Sequence, residues 1–312
     1  MRLPALLAVF TLPLAAVAQV PPVAEPAGVE VPPGNVVLVT LDGVRWQDFL
    51  DDKPDRFLAD GDRAPTMPVF WARLAAQGAL YPHMSVSNRA TLSMPAYQSI
   101  FAGFRQPCAD NDCARVSVET FPERLVREGV PRAQVATFAS WEKIPRAVES
   151  REGATFTDAG EAGHTRLDAD TFPRALAYLK ANKPRFLFIS LNDTDAAGHA
   201  GDYAAYLAAM RRDDGWIADL CATLDAMGSY GKSTTLIVTT DHGRGVLWDW
   251  VHHGHRPWAK RVFLWARGPY ATKGLTGAGG EHADLRPTIE SLLGLAPKTC
   301  PGCGAPLAGV AP

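Results

Sequence analysis

The chain is short of the features that assign a protein quickly. Its charge is nearly balanced, with 31 Lys and Arg against 33 Asp and Glu in 312 residues. So small an imbalance gives no surface suited to a polyanion, and binding of a nucleic-acid polymer is not expected. No internal repeat or low-complexity tract is present, which argues against a solenoid, and no linker forces a second domain. After residue 18 there is no apolar run of the length needed to cross a membrane. Cysteine is scarce: Cys108, Cys113, Cys221, Cys300 and Cys303. The two close pairs are not framed like a zinc ribbon, so local disulfides Cys108–Cys113 and Cys300–Cys303 are the favoured reading. Cys221 then remains as a buried thiol in a helix-like segment.

What is present begins with an export signature. Met1-Arg2 is a short basic start, Leu3 to Val17 is apolar but broken by Pro4 and Pro13, and Ala16-Val17-Ala18 offers small residues for cleavage before Gln19. Residues 1–18 are therefore read as a signal peptide and 19–34 as an extended leader. From 35 to 312 a single catalytic domain is expected, periplasmic or secreted, with no membrane span after signal removal. With 47% hydrophobic residues it can bury a substantial core.

Apolar, β-like runs at Val36–Thr40, Gln134–Phe138, Phe186–Leu191, Leu236–Thr240 and Val262–Ala266 alternate with helix-like segments. The helices are expected at Thr66–Gly78, Tyr97–Phe101, Val118–Glu128, Thr171–Ala181, Ala204–Met227 and Leu285–Leu293. Such alternation predicts an α/β fold, a mostly parallel central sheet with helices on both faces.

Three of those strands open onto acid and imidazole: Asp42-Gly43, Asp195-Ala-Ala-Gly-His199 and Asp241-His242-Gly243. Ligands of an open α/β sheet bind outside the carboxyl ends of its strands, so the three openings converge on one crevice. Asp42, Asp195, His199, Asp241, His242 and His282 form the candidate ligand set for divalent metal. Oxygen and nitrogen donors without thiolate suit zinc first and manganese second. Gly243 would permit the sharp turn that lets Asp241 and His242 serve neighbouring ions. Asp193 competes with Asp195, and the cluster His252, His253 and His255 divides between a solvated loop and a ligand or substrate contact, His253 being the most pointed.

A loop from Ser87 enters a helix near Ser93, where free N–H groups and the helix dipole suit a phosphoryl oxygen. Thr91, Ser93 and Ser99 are all open as its hydroxyl nucleophile, and a plain helix cap remains the bland alternative. Asn88 and Lys143 are weak candidates for substrate contacts.

The set resembles the alkaline phosphatase superfamily, closest to its phosphodiesterase/nucleotide pyrophosphatase-like branch. There the nucleophile is followed by Pro at the second position and Gly at the tenth, a frame that Ser93, Pro95 and Gly103 reproduce with Ser in place of Thr. The likeness spans residues 36–294. It implies one metal on Asp195, His199 and His282, and a second on Asp42, Asp241, His242 and the Ser93 oxygen. It also implies hydrolysis of a small-molecule phosphate ester or nucleotide through a phosphoseryl intermediate. A phosphomonoesterase on the same site is the alternative, and a catalytically silent metal-binding protein ranks below it. A Cys/Ser-x-Pro-Ser-Arg frame, the mark of a sulfatase, is absent. The Asn that many phosphodiesterases place twenty-odd residues past the nucleophile is also missing, and Asn111, between Cys108 and Cys113, has no assigned role.

Overall fold

The computed structural model describes residues 34–161, 163–275 and 279–312, so the signal peptide 1–18 and nearly all of the 19–34 leader lie outside the described residues. The strands are β1 (Asn35–Leu41), β2 (Ala79–Ser85), β3 (Val135–Ala139), β4 (Phe156–Ala159), β5 (Phe186–Leu191), β6 (Thr234–Thr239), β7 (Arg261–Arg267), β8 (Gly274–Leu275) and β9 (Gly279–Glu281). The α-helices are α1 (Trp46–Leu50), α2 (Ser93–Ala102), α3 (Phe121–Arg127), α4 (Pro145–Val148) and α5 (Asp168–Asn182). They continue with α6 (Asp193–Ala200), α7 (Tyr203–Ala226), α8 (Gly228–Lys232) and α9 (Leu285–Leu292).

One sheet runs in the order β4-β3-β5-β1-β6-β7-β2-β8, with β9 also on β2. The block from β4 to β6 is parallel throughout, whereas β7 is antiparallel to both β6 and β2. The mostly parallel α/β sheet expected from the sequence is therefore present, and the Val262–Ala266 strand reverses direction within it. Each apolar run becomes a strand because both its faces are covered. Along β1, Val36 and Leu38 join a layer with Tyr97, Phe101, Phe121 and Ile289, while Val37, Val39 and Leu41 join Phe172, Tyr206 and Leu220 on the other face. The period of two in the strand thus sends its alternate side chains into two separate cores.

Some expected elements shift, for local reasons. Thr66–Gly78 does not form one α-helix; it holds a π-helical turn at Phe70–Leu74 and a 3₁₀ turn at Ala75–Gln77. Carboxylates from elsewhere in the chain accept from its opening N–H groups, Asp52 from Met67 and Asp214 from both Val69 and Phe70, which fixes where the segment starts but not its irregular turns. Strand β2 carries no clear sequence signal because Pro82 and His83 interrupt it, and its register slips between Tyr81 and Met84. The Cys108–Cys113 and Cys300–Cys303 disulfides both form, and Cys221 is a buried thiol. Among the described residues no helix is long and apolar enough to cross a membrane.

Candidate metal centre and nucleophile

Strand order explains why the acidic openings meet. β1 lies between β5 and β6 with Leu41 level with Leu191 and Thr40 level with Thr239, so the residues after these strands emerge side by side. Asp42 follows β1, α6 carries Asp195 and His199 after β5, and Asp241 and His242 follow β6. At the crossing point Gly43 has φ +66°, and a Cβ there would strike the Asp195 carboxylate. Gly43 thus takes a left-handed backbone that glycine adopts at no steric cost. Gly243 has no positive φ; it lies against Ala259 and Arg261, where a Cβ would come within 3.2 Å of the Arg261 carbonyl.

Among the described residues two groups of donor atoms each lie within 4.8 Å of one another: Asp42, Asp241 and His242, and Asp195, His242 and His253. Ser93 stands at the first turn of α2, with Oγ 3.2 Å from His242 Nε2 and 3.4 Å from Asp42 Oδ1. His199 Nε2 is 3.2 Å from Asp195 Oδ2 and 3.0 Å from His253 Nε2. The rings of His242 and His253 stack at 3.9 Å.

Hydrogen bonds fix which ring nitrogens are bare. His242 Nδ1 faces the Gly243 carbonyl at 2.9 Å and His253 Nδ1 faces the Thr91 carbonyl at 2.8 Å. A carbonyl only accepts, so each Nδ1 carries the proton and each Nε2 offers a lone pair to the centre. Burial pushes His242 down to about 4 and His253 down to about 3, the neighbouring His242 adding to the effect on His253. Both imidazoles are thus neutral near pH 7.

The carboxylates are under opposing pressures. Burial, then Asp241 and Asp195, raises Asp42 well above the usual carboxylate range, although the Tyr97 hydroxyl donates to it at 3.1 Å. Asp241 is raised to about 7 by burial, against the stabilising Gly43 N–H at 3.0 Å, and its Oδ2 has no hydrogen-bond partner among the described residues. Burial would raise Asp195 too, but the Arg244 guanidinium and His199 hold it well below the ordinary range. A buried set of carboxylates and bare nitrogens, one oxygen orphaned, calls for positive charge. Divalent cations fit that donor set.

In the sequence Arg244 stands only as part of the Asp241-His242-Gly243-Arg244-Gly245 segment, with no role of its own. It is fully buried, donates to the Asp195 carbonyl at 2.8 Å, contacts the Asp195 carboxylate, and reaches the Val251 carbonyl at 2.9 Å. Gly198 makes this fit, since a Cβ there would overlap the guanidinium. Asn111 also acquires a place: its Oδ1 accepts the Met94 N–H at 3.0 Å, so it caps α2 beside Ser93.

Other sequence candidates fall further out. His282 belongs to neither donor group; it is fully buried and its Nε2 donates to the Thr240 carbonyl at 3.0 Å, behind the Asp241-His242 turn. Asn88 Nδ2 donates to the Pro95 carbonyl at 2.7 Å, bracing the start of α2. Lys143 Nζ binds Asp112 Oδ1 at 2.7 Å and the Asn111 carbonyl at 3.3 Å, holding the disulfide loop. Asp193 is paired with Arg212 at 2.7 Å, outside both donor groups.

The β5–α6 turn that delivers Asp195 is anchored by buried Asp168, which accepts from Ser140 Oγ at 2.5 Å and from the Asn192 and Asp193 N–H groups at 2.7 Å each. Asp168→Ala leaves the Asn192 and Asp193 N–H groups without an acceptor. It is expected to cost about 3 kcal/mol of stability, read by urea denaturation, because unsatisfied buried polar groups cost about 1–3 kcal/mol each. A loss under 1 kcal/mol would contradict this role.

A sequence profile described as the Metalloenzyme superfamily matches residues 35–296. No curated protein matches the chain. Among solved structures, phosphonate monoester hydrolase of Agrobacterium radiobacter superposes with a TM-score of 0.64 at 15% identity, covering 87% of this chain and 76% of that one. Murine ectonucleotide pyrophosphatase/phosphodiesterase 5 gives 0.60 at 14% identity, covering 86% and 97%. BT1596, a 2-O GAG sulfatase, gives 0.64 at 14% identity, covering 88% and 73%. These likenesses concern the fold, and the profile spans nearly all the described residues: the chain belongs to the Metalloenzyme superfamily, the alkaline phosphatase-like hydrolases.

Proposed function

We propose that this chain is an exported hydrolase of phosphate esters, of phosphodiesterase or nucleotide pyrophosphatase type, with Ser93 as nucleophile and two divalent cations, zinc before manganese. The observation that carries the reading is Ser93 Oγ at the start of α2, within 3.4 Å of both Asp42 and His242. Asp195, His199 and His253 would hold one cation, with His253 in the role first given to His282. Asp42, Asp241, His242 and the Ser93 oxygen would hold the other. Such cations supply Lewis acidity to a phosphoryl oxygen and lower the pKa of a neighbouring hydroxyl.

The chain's own residues then do the following. Ser93 Oγ forms the bond to phosphorus as the leaving oxygen departs in line, and the hydroxyl proton leaves with the alcohol product. Water cleaves the phosphoseryl ester and restores the hydroxyl. The α2 N-terminus favours the negative phosphoryl group. Asn111, with its Oδ1 committed to Met94, keeps an NH₂ group to donate to a phosphoryl oxygen. Arg244 stays beneath Asp195 and balances one of the buried carboxylates. The two disulfides support an oxidising, exported setting.

Elemental analysis is expected to find two divalent ions per chain. Turnover of bis-p-nitrophenyl phosphate should exceed that of p-nitrophenyl phosphate; the reverse order would favour a monoesterase. Chelation is expected to lower both rates at least 100-fold, with recovery on adding zinc. Full activity in metal-free protein would overturn the scheme.

A further inference from the structure

A cleft of about 470 Å³ is lined by Asn88, Arg89, Arg105, Gln106 and His255 together with Ala90 and the first residues of the disulfide loop. That size is in the range of small-molecule sites. Part of its wall belongs to segments that build the centre, and Arg105 and Gln106 come from the chain after α2. Residues 88–90 lead directly to Ser93. The chain through Cys108 continues to Asn111, the cap of α2. His255 lies two residues past His253, whose loop is tied to Thr91 in both directions: the Thr91 hydroxyl donates to the His253 carbonyl, and His253 Nδ1 donates to the Thr91 carbonyl. Gly254 packs on Leu92, the residue before the nucleophile.

The charge of this cleft is one-sided. Arg89 and Arg105 are exposed, and neither forms a hydrogen bond or ion pair among the described residues. No carboxylate lines it. Other arginines are engaged by acids, as Arg45 is by Asp48 and Asp55, Arg166 by Asp158 and Arg212 by Asp193. On a chain whose net charge is −2, two unneutralised guanidinium groups in a cleft whose wall leads to Ser93 form a local anion trap. Guanidinium groups bind carboxylate and phosphate through paired N–H donors.

We infer that this cleft is a specificity subsite for a second anionic group, so that the preferred substrate is a phosphate ester whose organic portion carries a further phosphate or carboxylate. The inference rests on the proposed reading of Ser93 and extends it to substrate class. Arg89 and Arg105 take the second charge while the reacting phosphoryl group sits at Ser93.

The test is calorimetric titration of metal-loaded Ser93→Ala protein, which binds without turnover, with three ligands: phenyl phosphate, 4-carboxyphenyl phosphate and 1,4-phenylene bisphosphate. At low ionic strength at least one of the two ligands with a second charge should bind about tenfold more tightly than phenyl phosphate. The carboxylate and phosphate arms show which anion the cleft prefers. Adding Arg89→Ala and Arg105→Ala should abolish that preference and leave phenyl phosphate affinity unchanged, and Arg89→Lys with Arg105→Lys should restore part of it. Equal affinity for all three ligands overturns the subsite, as does a preference that survives the double alanine variant. Wild-type protein that hydrolyses neither these monoesters nor bis-p-nitrophenyl phosphate overturns the reading of the centre instead, and the affinity ratio still decides the cleft.

Discussion

Ser93→Ala is expected to lower phosphate-ester turnover by on the order of 10⁴-fold or more, because removing a nucleophile deletes the covalent route and leaves only binding and electrostatic contributions. The same variant should still bind its two metals, since the carboxylate and imidazole donors remain. It should also unfold within about 1 kcal/mol of the parent, because one hydroxyl is lost and no large cavity is made. The two hydroxyls that compete with it in the sequence serve as controls. The Thr91 hydroxyl donates to the His253 carbonyl, and Ser99 Oγ donates to the Pro95 carbonyl at 3.0 Å, four residues back in α2. Both are committed to backbone acceptors. Ser99→Ala should therefore keep turnover within a few-fold of wild type. Wild-type rates in Ser93→Ala would remove the assignment, and trapping of radiolabelled phosphate on Ser99 would relocate it.

Much of the centre is legible in the sequence because a parallel strand buried on both faces is written as an unbroken apolar run. The next residue after such a run sits at the sheet's carboxyl edge, so Asp42, Asp195 and Asp241 can be placed together before any contact is known. The α2 entry is legible for a similar reason: a Ser ahead of Met94-Pro95 has Pro where a first helical turn tolerates it. What stays hidden depends on long-range packing. Arg244 looks like a solvent-facing charge, and it is buried because Gly198, 46 positions earlier in the chain, leaves a space for its guanidinium. Strand β2 hides behind Pro82, and the reversal of β7 cannot be read from an apolar run that looks the same in either direction. Asn111 is 18 positions from Ser93, and it reaches α2 because the Cys108–Cys113 bridge and Lys143 hold its loop there.

The imidazole cluster is the sharpest case, and it leads to a paired experiment. The sequence likeness selects His282 as the third ligand beside Asp195 and His199, because it is a final histidine near the chain end. The geometry supports His253: its Nε2 is 3.0 Å from His199 and 4.0 Å from Asp195 Oδ1, and its Nδ1–H is held by the Thr91 carbonyl. A ring oriented through its far nitrogen while the near one faces carboxylate and imidazole is the arrangement of a metal-bound histidine. His282 directs Nε2–H at the Thr240 carbonyl and keeps a buried Nδ1 without a hydrogen-bond partner among the described residues, but it lies in neither donor group; Thr240 in turn donates its hydroxyl to the His242 carbonyl at 2.9 Å. We therefore propose that His282 braces the Asp241-His242 turn. His253→Ala should therefore lose one of two bound metals and at least about 10²-fold in turnover, given that even partners one layer behind a metal's ligands are worth 10–100-fold. His282→Ala should retain both metals and lose about 1–3 kcal/mol of stability, the cost of leaving a buried carbonyl without its donor. Metal content by elemental analysis separates the two roles from simple misfolding, because a brace can weaken the fold while the cations stay bound. If His282→Ala sheds a metal and His253→Ala keeps both, the ligand assignment reverts to His282 and the Thr240 contact becomes a resting position of a mobile ligand.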